Sequence, residues 1–274
     1  MIRRVGIISR CDKEDVLALV KKILVHLKSR VNVLLDPKTA EKLRLKGTQM
    51  ADMRKNGAEF ILSIGGDGTV LRGIQKMDDP LPVLGINMGT IGFLVDVASD
   101  DSLYVIDKVL SGFEIEERSR LGIRVNDEIL PCATNEVVII TANPAKMLSY
   151  RIFVDKSPLE ELRADGVVFA TPTGSTAYAM SAGGPIIDPR VDGMVIVPLA
   201  PYKLSSRPWV LPARSEIKVE LTIPKKDAVL VIDGQYSRTI KEEDTIIITR
   251  ADKPARFVKT REDGFFEKVR NKLA

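Results

Sequence analysis

Apolar runs without polar alternation set the fold of the first hundred residues. RVGIIS, VNVLLD, AEFILSIGG and LPVLGINMG each read as a strand hidden on both faces, and helical runs separate them. Residues 13–28 carry Val16, Val20, Ile23, Leu24 and Leu27 at helical spacing. TAEKLRLKG reads as a polar helix ending at Gly47, and GTVLRGIQKM as a helix directly after the third strand. Such alternation is satisfied by a parallel sheet with helices on both faces, so residues 1–100 are expected to form an α/β domain.

Past residue 100 the pattern changes. LGIRVNDEILP reads as a hairpin turning at Asn126-Asp127. NEVVIITA, SYRIFVD, GVVFATP, GMVIVPLAP, AVLVIDGQ and DTIIITR are further short strands, and EIKVELTI alternates with Ile217, Val219, Leu221 and Ile223 on one face. Residues 101–254 are therefore expected to be an all-β sandwich, interrupted by one short helix in TGSTAYAMSAGG that stops at Gly183-Gly184. The end, EDGFFEKVRNKL, reads as an amphipathic helix. Phe265, Phe266 and Val269 would pack it, with residues 255–274, onto the first domain or onto the sandwich.

Composition removes several functional classes. The 41 basic and 37 acidic residues give a net charge of +4 with no dense basic stripe, so nucleic acid is not the expected partner. Two cysteines, Cys11 and Cys132, and a single histidine, His26, are too few for a Cys/His zinc site. The apolar part of MIRRVGIISR is too short for a signal core, and no run approaches a membrane span. A cytoplasmic protein with reduced cysteines is expected.

The chemistry concentrates in a few loops. In GGDGT, glycines after a buried strand bring backbone N–H groups and a helix N-terminus close to a ligand, which suits phosphate oxygens. Gly65, Gly66, Gly68 and Thr69 form this candidate phosphate loop. It is neither a Walker A loop nor a G-x-G-x-x-G fingerprint. Asp67 would repel phosphate unless it has a task. It is the carboxylate of a Gly-Asp-Gly turn, a proton acceptor for an attacking hydroxyl, or a holder of magnesium on the phosphates. Arg72 falls near the first turn of the following helix, facing a phosphate or solvent. INMGTIGFL ends a second strand in glycine at Asn87 and Gly89, and should adjoin the first loop.

Further on, Asn135-Glu136 precedes a strand, as a ribose grip or as a turn. RADGVVFATPTGSTAYAMSAGGPI holds Arg163 and Asp165 before a buried strand. It then clusters Thr171, Thr173, Ser175 and Thr176 at a helix start, more hydroxyls than capping requires. Tyr178 and Ser181 share a helix face, with Tyr178 able to stack on a base. Asp233-Gly234 reads as a hairpin turn.

In their order, GGDGT, GINMGTIGFL, NEVVI, RADGVVFATPTGSTAYAMSAGGPI and DGQ resemble the ATP-dependent NAD kinases over residues 60–235. GGDGT alone is shared with diacylglycerol and sphingosine kinases and loosely with phosphofructokinases. The two longer blocks are specific to the family. Small departures occur in GTIGFL, where leucine is common before Gly-Phe-Leu, and in TAYAMS, whose fourth residue is often polar. The resemblance implies NAD held between an α/β domain and a β-sandwich, a homodimer or homotetramer, and no membrane partner. It makes Asp67 the proton acceptor for the adenosine 2′-hydroxyl, with Gly68 lining that site. Asn135 and Glu136 would hold ribose or phosphate, while Asp165, Thr173 and Thr176, Ala177, Tyr178 and Ser181 would bind the nicotinamide and adenosine portions. Arg72, Lys146, Arg163 and Gln235 are further NAD-binding candidates at positions where the family varies. The cofactor implied is a divalent metal, Mg2+, held through phosphates and by Asp67 at most. The donor is ATP or polyphosphate.

Two other readings use the same residues. A lipid or sugar kinase would run on the GGDGT loop without NAD, and a dinucleotide-binding sensor would keep the fold without the reaction. Neither the choice between NAD and NADH nor that between the donors is written in the sequence.

Overall fold

The computed structural model describes residues 2–89, 92–143, 145–222, 228–260 and 264–273. Thr90, Ile91 and Ile223, each within a motif above, lie outside them. Contacts divide the chain into residues 1–117 with 255–274, and residues 118–254.

In the first unit the strands β1 (Arg4–Ser9), β2 (Asn32–Leu35), β3 (Phe60–Gly65) and β4 (Val83–Asn87) alternate with α1 (Glu14–Leu27), α2 (Pro37–Leu43) and α3 (Asp67–Gln75). They pair parallel in the order β2-β1-β3-β4. Every residue of β3 and β4 is buried, because one face packs on α1 and the other on α3. Ile7, Leu62 and Ile86 meet Val16, Val20 and Ile23 on one side, while Ile8, Ile61 and Val83 meet Val70 and Ile74 on the other. This double burial explains the unalternating strands of the sequence. The second helix starts earlier and ends earlier than its sequence pattern suggests. Asp36 accepts from the N–H groups of Lys38 and Thr39 ahead of Pro37, and Arg44 leaves the helix with φ 57°.

The helix α4 (Ser102–Ser111) belongs to this first unit, since Ile106, Val109 and Leu110 join the core that contains Phe60 and Ile86. The boundary therefore falls at Glu117/Arg118, where the sequence reading put it at residue 100. A short strand β5 (Val97–Ala98) pairs with β4, and β6 (Ile115–Arg118) closes the seven-stranded sheet beside a returning strand, Ala255–Val258. The C-terminal helix Phe265–Leu273 also lies in this unit. It is held less by its aromatic residues than expected, for Phe266 is 66% exposed. Lys268 instead pairs with Asp96 and donates to the carbonyl of Phe93 at 3.3 Å, and Lys272 lies 4.4 Å over the Phe93 ring.

The second unit is a sandwich of two antiparallel six-stranded sheets. Its strands run β7 (Leu121–Val125), β8 (Glu128–Ala133), β9 (Glu136–Thr141), β10 (Leu148–Val154), β11 (Ser157–Ala164), β12 (Gly166–Ala170), β13 (Gly193–Leu199), β14 (Trp209–Pro212), β15 (Ile217–Leu221), β16 (Ala228–Ile232), β17 (Tyr236–Ile240) and β18 (Thr245–Arg250). One sheet has the order β11-β10-β15-β18-β7-β8 and the other β14-β13-β12-β9-β16-β17. The hairpin at Asn126-Asp127 forms as read, with Val125 opposite Glu128 and Asn126 at φ 52°.

Tyr150, Ile152, Val219 and Ile246 of the first sheet interdigitate with Val137, Ile139, Phe169 and Leu230 of the second. The second sheet is covered on its outer face as well. There Val138, Val168, Ala170, Val195 and Val197 pack under Ala179 and Ile187. That cover comes from the chain between β12 and β13, which fixes the loop from Thr171 to Ile187 against the sheet.

Candidate active site

In the first unit, β3 delivers Gly65 to the carboxyl edge of the sheet, and α3 begins two residues later with Gly66 as its cap. Gly65 is required for packing: a Cβ there would lie 2.5 Å from the Thr69 hydroxyl. Gly66 and Gly68 are different, since added Cβ atoms would meet nothing within 4 Å among the described residues. Packing within the chain does not require these two glycines, which leaves open backbone for a ligand to approach. No side chain caps α3, so its first N–H groups have no side-chain acceptor among the described residues. Thr69 is buried beneath Gly65, and its own N–H bonds Gly66 O at 2.9 Å.

The neighbouring loop lies alongside, as the strand order requires. Gly65 and Asn87 are in register, the Met88 N–H donates to Gly65 O at 3.1 Å, and Gly89 N–H donates to Asn87 Oδ1 at 3.0 Å. Farther along it, the N–H groups of Phe93 and Leu94 donate to the two carboxylate oxygens of Asp67 at 2.8 and 3.0 Å. Asp67 is half-buried and makes no bond back into its own turn. Each oxygen keeps a lone pair for a further partner. Arg72 donates to Ser9 O at 2.8 Å, at the end of β1, and its buried Nε has no partner among the described residues.

In the second unit the Asn135-Glu136 pair leads into β9. Three consecutive N–H groups, of Thr134, Asn135 and Glu136, converge on the Asp233 carboxylate at 2.7, 2.8 and 3.0 Å. Both residues of the pair are 9% exposed, and Asn135 Oδ1 and Glu136 Oε2 are buried without a partner among the described residues. Orphaned acceptors of this kind cost free energy unless a ligand satisfies them. Burial, and then the Asp233 charge, push the Glu136 carboxyl up to about 8, against a smaller opposing effect of the Tyr178 N–H.

The hydroxyl cluster of the following loop mostly builds the loop. Thr171 donates to Thr134 O at 2.7 Å and accepts from Gly174 N–H, while Ser175 donates to Pro172 O and accepts from Ile187 N–H. Thr176 donates to Thr173 O at 3.3 Å. Gly174 crosses so close to Asn135 that a Cβ would overlap its backbone carbonyl. The expected single helix is a 3-10 turn, Thr173–Thr176, followed after Ala177 by one α-turn, α5 (Tyr178–Ser181). Gly183 does end it, at φ 84°. Tyr178 is 43% exposed and Ser181 is exposed beside it.

Asp165 is half-buried at the bend between β11 and β12, where its N–H and C=O bond Leu199 and Thr141. Arg163 is exposed and lies 5.5 Å over the Tyr202 ring. Lys146 and Gln235 are exposed in loops. The sequence reading missed the work of Asp233, Gly92 and Gly174. Asp233-Gly234 is a hairpin turn, with φ 49° and 63°, but its Asp also anchors a distant segment, which no local pattern reveals.

The α/β unit carries a glycine-opened helix start of the kind that receives phosphate, and the sandwich unit carries buried polar atoms of the kind that receive a polar ligand, features that suit a nucleotide-using enzyme. Two family models match the chain, the ATP-NAD kinase N-terminal domain over residues 5–113 and the C-terminal domain over residues 134–260. An NAD kinase of Methanosarcina barkeri is 53% identical over 99% of both chains, and one of Methanothermobacter thermautotrophicus is 46% identical over 98% of this chain and 96% of its own. Among solved structures, yeast NADH kinase complexed with NADH superposes with a TM-score of 0.92 at 26% identity, covering 99% of this chain and 87% of that one. The NAD kinase of Archaeoglobus fulgidus in complex with ATP gives 0.82 at 30% identity over 98% of each. The chain belongs to the ATP-NAD kinase family.

Proposed function

We propose that the chain transfers a phosphoryl group from ATP to the adenosine 2′-hydroxyl of NAD, giving NADP, with Asp67 accepting the hydroxyl proton. The observation that carries this reading is the Asp67 carboxylate, aimed by two backbone N–H groups beside Gly66 and Gly68, whose open side none of the described residues fills. A ribose hydroxyl is a weak nucleophile at neutral pH, and a positioned carboxylate contributes about 10²–10⁴-fold. The uncapped N–H groups of α3 would receive donor phosphate oxygens. Asn135 would accept from the dinucleotide, and the Glu136 carboxyl, which keeps its proton up to about pH 8, would donate its O–H or accept, so the ligand supplies the partners their buried oxygens lack. Thr173, Thr176, Ala177, Tyr178 and Ser181, with Asp165, would line the same ligand, Tyr178 offering an exposed ring for stacking.

The Archaeoglobus relative is in complex with ATP, which supports ATP as the donor, and polyphosphate suits the same loop. Among the described residues no group of three or more His, Cys, Asp or Glu side chains could hold a metal. One carboxylate, Asp67, together with substrate phosphates fits the habit of Mg2+. When bound, the ion would neutralise charge on the transferred group. A cytoplasmic location and a homodimer or homotetramer belong to this reading on the family likeness. No described helix is long and apolar enough to cross a membrane.

The test is direct. Purified protein with ATP, Mg2+ and NAD should yield NADP, and NADH in place of NAD measures the redox preference. No NADP across several divalent metals and both donors would overturn the reading, and turnover of ATP on a lipid or polyol would replace it.

A further inference from the structure

We propose that Asp233 is a positioning residue for substrate. By fixing the backbone of Thr134–Glu136, it aims the side-chain oxygens of Asn135 and Glu136 at the dinucleotide. The inference rests on the reading of those two residues as the NAD grip.

The geometry is reciprocal. The Asp233 carboxylate accepts three successive N–H groups, and its own N–H donates to Glu136 O at 3.0 Å, so the turn and the segment are tied at four points. Asp233 sits in the left-handed region at φ 49°, which only a short polar residue or glycine adopts at little cost. Asparagine or glycine would make this hairpin without burying a charge.

Burying the charge is expensive here. Asp233 is 5% exposed, desolvation pushes its carboxyl up, and the neighbouring Glu136 is a second buried carboxyl. The three N–H donors and the field of buried Arg120 oppose that cost. A feature that costs stability and leaves acceptors orphaned beside it is expected where a chain holds a ligand, not where it merely turns. Charged and dipolar groups facing Glu136 are Asp233, from the β16–β17 turn, and the Tyr178 N–H, from α5.

The experiment compares Asp233→Asn with the unaltered enzyme. The amide nitrogen of asparagine cannot accept, so at least one N–H loses its partner and the segment shifts. The KM for NAD should rise about tenfold or more, the size of one unsatisfied buried group, while the KM for ATP stays within about twofold. Loss of the Asp233 charge removes one cause that raises Glu136. The limb of kcat/KM for NAD that follows Glu136 should therefore move to lower pH, a shift that a structural role alone would not produce. Asp233→Ser, whose hydroxyl retains one acceptor, serves if the asparagine variant does not fold. In the unaltered protein, amide exchange at residues 134–136 should slow with NAD and stay unchanged with ATP alone. Equal loss of kcat with both KM values and the pH limb unmoved, or no NAD-dependent protection, would overturn the inference. Failure of the unaltered enzyme to make NADP would overturn the functional reading instead.

Discussion

A carboxylate oxygen of Asp67 fills the space that a Cβ on Gly92 would need. The loop can reach Asp67 with two N–H groups because residue 92 has no side chain. Gly92→Ala should therefore push the carboxylate off its bearing, as the added carbon also meets Val95 Cγ2 at 2.6 Å. A misplacement of that order costs roughly 10²-fold in kcat. Steady-state kinetics should show that loss with NAD affinity nearly unchanged.

Asp67→Asn tests the base itself. The amide retains the volume and one acceptor oxygen, but its NH₂ opposes a backbone N–H of Phe93 or Leu94 and cannot take a proton from the ribose. Turnover should fall by about 10²–10⁴-fold. Calorimetric titration should still detect NAD binding, and a fully active variant would remove Asp67 from the role of base.

Gly174→Ala should act on the other unit. Its Cβ would overlap the backbone carbonyl of Asn135, which has no side chain to swing away. Overpacking of this kind costs about 1–3 kcal/mol. A lower urea midpoint and a raised KM for NAD are expected together, because the same carbonyl accepts from Thr171 N–H.

The C-terminal helix reaches the active-site loop through two side chains, Lys268 on the Phe93 carbonyl and Lys272 over the Phe93 ring. Lys268 donates to the carbonyl of Phe93, whose N–H holds Asp67. Lys268→Ala should lower kcat severalfold and cost about 1–3 kcal/mol of stability, since the Lys268 side chain is only 18% exposed and its loss leaves Asp96 and the Phe93 carbonyl without their charged partner. Paired kinetics and thermal melts check this, and unchanged kcat would uncouple the helix from the loop.

The parts of this site that are local in sequence were legible, and the parts made by distant approach were not. Double burial of β3 and β4 leaves a readable apolar run, and the glycines at its end read as a ligand loop. The hydroxyl cluster is ambiguous in sequence, because Thr171 and Ser175 face Thr134, Pro172 and Ile187 and so build the loop, while Thr173 and Thr176 stay candidates for the ligand. Asp233 acts on residues 97 to 99 positions away, and DG looks the same in any hairpin. The strand Ala255–Val258 was hidden for a like reason: its partner β4 lies in the first third of the chain.

Stability should carry a signature of Glu136. Its carboxyl ordinarily titrates near 4.5 and is pushed up to about 8 in the fold. Between those values the folded protein holds a proton that the unfolded chain has lost, so stability falls as pH rises through the window and levels off above it. At 1.36 kcal/mol per pKa unit the whole effect has an upper bound on the order of 5 kcal/mol. Asp233, also raised, acts in the same direction. The carboxylates held low by ion pairs, Asp107 and Asp188, lose their contribution only at more acidic pH, outside this range. Urea midpoints should thus be higher at pH 5 than at pH 8.5, and Glu136→Gln should flatten most of the difference. A midpoint that rises across the same interval in the unaltered protein would show that Glu136 is ionised in the fold.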